Sequence, residues 1–218
     1  MQLEFLGILG SDNQPLPHSF VRQDEGTEHL AIFLPGYAYG PDRPALHYPI
    51  RLLTELGADA LILKKIYASV PGFASLPENE RIRMIVADAL SACTVGLAQR
   101  TYSRITLVGK SLSTITMARL LKLIPEFQNA ECIWLTPILQ HERSRAIILE
   151  KKPRSLFVIG TADQYYDPEI LQELEQATGG TSLILPDAHH GLEIADSTRR
   201  SIACMDTMIA GIQDFLAG

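Results

Sequence analysis

"RITLVGKSLSTI", residues 104–115, sets a Gly-Lys-Ser tripeptide between an apolar run and an apolar segment with helical spacing. Two chemistries compete for it. A phosphate-cradling loop follows G-x-x-x-x-G-K-[ST], and its first glycine would fall at position 104. That position is Arg104, and Ile105, Thr106, Leu107 and Val108 precede Gly109. These are strand residues, not a loop that aims successive N–H groups at an anion, so the phosphate reading fails on geometry. The other chemistry is a strand-to-helix turn that lifts a serine hydroxyl clear of a sheet. The turn is so sharp that the residues two before and two after the serine nearly touch, and both must be small. Here they are Gly109 and Ser113. The usual pattern has glycine at both places, so Ser113 is a departure. The plainer explanation of Ser111 is an N-cap opening a helix, and the rest of the chain has to decide between them.

Working outward, strands and helices alternate. Strands are expected over 3–9, 18–23, 29–36, 58–65, 104–109, 131–136, 155–160 and 181–186. Helices are expected over 45–57, 77–100, 111–124, 140–150, 168–179 and 196–217. The middle strands are continuously apolar, which fits strands covered on both faces of a parallel sheet. The expected class is therefore α/β: a mostly parallel, doubly wound sheet of about eight strands with helices on both faces. Ligands on such sheets bind beyond the carboxyl ends of the strands, so functional residues should lie just after strands.

Bulk properties narrow the field. The chain has 218 residues, 46% hydrophobic and 20% charged, with a formal charge of −6. This length suits one domain over 1–218. An acidic chain without a basic run argues against nucleic-acid and anionic-membrane partners. Three dispersed cysteines lack the CxxC spacing of a zinc or redox pair. "MQLEFLGILG" has no secretory-leader pattern, and no apolar run approaches membrane-spanning length. The expected location is cytoplasmic, and no motif sets an oligomeric state.

A serine hydroxyl attacks only when a histidine takes its proton and a carboxylate holds that histidine. With this turn, the order along the chain is serine, acid, histidine. "LFVIGTADQYYDP" (156–168) supplies Asp163 in the turn after a strand. Its competing explanation is a turn-forming Asx residue. Asp167, before Pro168, is explained fully as a helix N-cap. "LILPDAHHGLE" (183–193) supplies His189 and His190 after the last strand. His190, directly before Gly191, is preferred as the base, with His189 lining the site, but the pair leaves the choice open. Two backbone N–H groups must meet the developing oxyanion. Leu112, after the serine, offers one. The "LPGYAYG" loop (34–40) offers Tyr37, with Gly36 letting the backbone turn inward.

Four marks, "FLPGYAYG", "VGKSLS", "VIGTADQYYDP" and "DAHHGLE", stand in the order found in the α/β-hydrolase superfamily, which the whole chain resembles. The resemblance implies Ser111 as nucleophile, His190 as base, Asp163 as acid, and the amides of Tyr37 and Leu112 as oxyanion hole. It implies no cofactor and no metal. Many relatives insert a lid after the strand here at 131–136. Only about twenty residues precede the next strand, so no substantial lid is expected. Gly36, Tyr39, Thr136, Pro137, Ile138, Tyr165 and His189 are the expected substrate-lining residues. The implied activity is hydrolysis of a small carboxylic ester or thioester through an acyl-enzyme. A binding protein that kept the architecture without the chemistry, and a peptidase or amidase on the same scaffold, are the alternatives.

Overall fold

The alternating elements close into one eight-stranded sheet in the computed structural model, which describes all residues, Met1–Gly218. The strands are β1 (Gln2–Glu4), β2 (His18–Arg22), β3 (His29–Leu34), β4 (Asp59–Leu63), β5 (Arg104–Lys110), β6 (Glu131–Leu135), β7 (Arg154–Gly160) and β8 (Thr181–Leu185). Their order across the sheet is β1-β2-β4-β3-β5-β6-β7-β8. β2 pairs antiparallel with both neighbours, and every pair from β4 to β8 is parallel.

The helices are α1 (Pro44–Glu55), α2 (Glu78–Leu97), α3 (Leu112–Leu123), α4 (Glu142–Lys151), α5 (Pro168–Thr178) and α6 (Thr198–Ala217). Strand alternation explains how they layer. In β3, Leu30, Ile32 and Leu34 enter a core shared with α2 to α5, while Ala31 and Phe33 enter a second core under α1 and α6. β6 divides the same way, with Cys132 and Trp134 on one side and Ile133 and Leu135 on the other. Continuous apolar runs are what two-sided burial requires.

One expected strand is largely absent. Of residues 3–9 only the start pairs, and Leu9 forms an isolated bridge with Pro15. The Leu6 N–H turns to His18 Nε2 at 2.9 Å, and Ile8 and Leu16 drop into the core. The apolar residues there anchor a turn and not an edge strand. The expected helix over 196–217 starts at Thr198, after Ser197 in N-cap position. The span 66–76, assigned to neither class from sequence, forms two short 3-10 turns at Tyr67–Ser69 and Phe73–Ser75. Between β6 and β7 the only helix is the ten-residue α4, held down by buried Ile147 and Ile148.

Candidate active site

β5 hands the chain to α3 through Ser111, whose φ of 54° and ψ of −120° are forced on a non-glycine residue. Such backbone costs of order 1–3 kcal/mol and persists only where neighbours impose it. Here the Ser111 N–H donates to Leu135 O at 2.9 Å and its carbonyl accepts from Thr114 N at 2.8 Å. A Cβ on Gly109 would lie 3.1 Å from Met117 Sδ and 3.2 Å from Ser113 O, so the turn leaves almost no room there. Ser113 has a different part. Its buried hydroxyl donates to Pro35 O, tying the turn to the loop after β3. A second glycine would leave that carbonyl without this donor.

Ser111 is not capping its helix, since its side chain accepts no N–H of α3. Its Oγ lies 2.7 Å from His190 Nε2, and His190 Nδ1 lies 2.8 Å from Asp163 Oδ2. The structure thus joins Ser111, His190 and Asp163, from the ends of β5, β8 and β7, in one hydrogen-bonded chain. The Asp163 carboxylate is buried, and its other oxygen accepts from Tyr165 N at 3.0 Å. The Tyr165 ring stands edge-on to the His190 imidazole, 5.3 Å between centroids. β7 can approach the histidine loop this closely only because residue 160 is glycine: a Cβ there would sit 1.9 Å from Ala188 O.

The neighbouring candidates divide. His189 is exposed and its Nδ1 accepts from Gly191 N at 2.8 Å, which shapes the loop. Asp167 caps α5, accepting from Glu169 N and Ile170 N, both at 3.1 Å. The Tyr37 N–H meets no protein acceptor, and Leu112, first residue of α3, has no intrahelical acceptor for its own. The Tyr37 ring stacks on Phe73. Gly36 lies against Tyr39 and Lys110, with 3.1 Å from a built Cβ to Tyr39 Cβ. The Tyr39 hydroxyl accepts from Ala45 N at 2.9 Å, and burial pushes its pKa up to about 12. Pro137 and Ile138 flank a small gap beside Thr114 and Trp134. Thr136, expected on the pocket wall, is fully buried at φ 44°, with its N–H on Val158 O at 2.7 Å. It is occupied from beneath by a lysine, so it offers no surface to a substrate.

That lysine is Lys110, which the sequence shows only as the residue rejected as a phosphate ligand. Its side chain is 1% exposed and runs under the site from β5. The ammonium donates to Thr136 Oγ1 and, at 2.6 Å, to the carbonyl of His190, and it sits 4.9 Å from the centre of the Tyr39 ring. The lysine thereby ties the serine strand to the backbone of the histidine. It forms no ion pair. Burial drives its pKa down from 10.5 to about 7, opposed only by the more distant Asp163 charge. Between pH 7 and 10.5 the unfolded chain therefore binds a proton that the folded one has released, and stability rises with pH by up to about 1.4 kcal/mol per unit. Lys110→Met removes this dependence. Urea unfolding at pH 6.5, 8 and 9.5 should show wild type gaining steadily on the variant as pH rises. A difference independent of pH would mean that Lys110 stays charged throughout.

No family model matches the chain, and no curated protein matches it. Solved structures do. An esterase of Pyrococcus furiosus superposes with a TM-score of 0.72 over 99% of this chain and 90% of its own, at 15% identity. Est1E of Butyrivibrio proteoclasticus, solved with ferulic acid bound, gives 0.71 over 97% and 99%, at 10% identity. An α/β serine hydrolase without lid from Xanthomonas campestris gives 0.69 over 99% and 95%, at 17% identity. The fold is that of the α/β hydrolases. The turn at Ser111 joins β5 to α3 in a strand–turn–helix. The loop after β3 is tied to this turn through Ser113 and Pro35.

Proposed function

We propose that the protein is a serine hydrolase that cleaves a carboxylic ester or thioester of a small substrate. The observation that carries this reading is the continuous hydrogen-bonded chain from Ser111 Oγ through His190 to buried Asp163. The esterases and the serine hydrolase among the structural neighbours support it.

In this reading, Ser111 Oγ attacks the carbonyl carbon and passes its proton to His190 Nε2. Asp163 holds the proton on Nδ1 and stabilises the imidazolium. The displaced π electrons gather on the carbonyl oxygen, which the N–H groups of Leu112 and Tyr37 receive. Collapse expels the alcohol or thiol, protonated by His190. Water then attacks the acyl-serine with His190 again as base, releasing the acid and restoring the hydroxyl.

A fluorophosphonate probe tests the reading without a known substrate. It should label the protein covalently, and peptide mass spectrometry should place the adduct on Ser111. Labelling of another residue, or none at millimolar probe, overturns the assignment.

A further inference from the structure

A groove of about 720 Å³ lies away from Ser111, His190 and Asp163, on the outer face of the helical layer. α3 floors it, and α2 and α4 form its walls. α2 contributes one stripe, Asn79, Ile82, Val86 and Leu90 among it, at spacings that keep side chains on one helix face. Leu123 and Ile147 complete an apolar trough.

The polar rim of this trough carries one sign of charge. Arg83, Arg119, Lys122 and Arg143 line it, and no carboxylate does, although acids outnumber bases 25 to 19 in the chain. Lys122 is paired with Glu150 at 2.9 Å. The three arginines are not, a state they share with Arg43, Arg81 and Arg199, while Arg22, Arg51, Arg100, Arg104, Arg145, Arg154 and Arg200 all hold carboxylates. Arg119 Nε is buried with no acceptor, and a buried donor left unmade costs about 1–3 kcal/mol. His141, at the start of α4, senses the field. Its pKa is lowered by burial first, and Arg119 and Arg143 push it further down against Glu78.

An apolar trough with unpaired guanidinium groups at its rim matches one chemistry. Arginine grips carboxylate or phosphate in a planar, two-bonded fork, and the trough removes an adjoining hydrocarbon from water. We infer that this groove is a second binding site, for a small amphiphile with one anionic head and one apolar chain. The head sits between Arg119 and Arg143, and the chain lies along Ile82, Val86, Leu90 and Leu123. This inference does not depend on the proposed reaction.

Decanoate, below its aggregation concentration, is a suitable probe for calorimetry and for NMR of the histidine rings in the full chain. It should bind at one site, at least tenfold more tightly than decyltrimethylammonium or inorganic phosphate. Affinity should fall as salt screens the contact. An added anion beside His141 favours its imidazolium, so the His141 titration should move to higher pH on binding. The double variant R119Q/R143Q should bind at least tenfold more weakly, with a melting temperature no lower than that of wild type. Decanoate that perturbs only His190 is occupying the Ser111 site and overturns the inference. Equal affinity in the double variant, or phosphate binding as tightly as decanoate, also overturns it. An acidic peptide that binds where decanoate does not would make the groove a protein-docking surface instead.

Discussion

Ser111→Ala should lower kcat on an activated short-chain ester by about 10⁶-fold, the scale seen when a serine hydrolase loses its nucleophile. The size follows from what the substitution removes. No other hydroxyl shares the His190 imidazole, whose Nε2 has Ser111 Oγ as its partner at 2.7 Å. Asp163 and His190 without the serine have no nucleophile to activate, and the residual rate is what the oxyanion N–H groups and binding supply. The fold should survive. The turn is held by the Ser111 N–H and carbonyl, by Gly109 and by Ser113, none of which the substitution touches. Alanine carries the same strain as serine at φ 54°. The measurement is kcat with p-nitrophenyl butyrate beside a thermal melt. A variant that melts like wild type and keeps more than about 1% of kcat would remove Ser111 from the reaction, because loss of a nucleophile never leaves so small a deficit.

What could be read from the chain and what could not divide along physical lines. The sharp turn at Ser111 was legible because its constraint is local: two small residues flanking a serine by two positions are demanded by one turn's sterics. The parallel sheet was legible because burial on both faces removes polar residues from whole strands such as β3 and β6. Lys110 was opaque for the opposite reason. A lysine one residue before the serine says nothing locally, and its role exists only because the His190 carbonyl, eighty positions away, comes down upon it. Thr136 failed similarly, since its place after β6 put it at the functional edge, while the Lys110 ammonium claims its hydroxyl from beneath. The stretch 3–9 departs from a strand because periodicity cannot tell a half-buried strand from a turn that sends Ile8 into the core. His189 and His190 are adjacent and chemically identical, and the loop's turn separates them: one nitrogen of His189 is committed to Gly191, while both of His190 face the site.

Asp163→Asn should lower kcat by about 10⁴-fold, through the wrong tautomer and not through lost packing. Asparagine fills the same volume, but its two ends differ. The Tyr165 N–H, now 3.0 Å from Oδ1, requires an acceptor at that position and so fixes the amide oxygen there. The amide NH₂ must then face His190 Nδ1, which becomes an acceptor. The ring proton moves to Nε2, where it points at Ser111 Oγ, and the nitrogen that had to accept a proton already carries one. KM should change little, because the carboxylate is buried behind the imidazole and is not exposed to substrate. Asp167→Asn serves as the control. Its carboxylate is spent on Glu169 N and Ile170 N at the start of α5, so the change should leave kcat within about threefold and affect only the melt. If Asp163→Asn stays within tenfold of wild type while Asp167→Asn collapses, the acid has been assigned to the wrong end of the same loop.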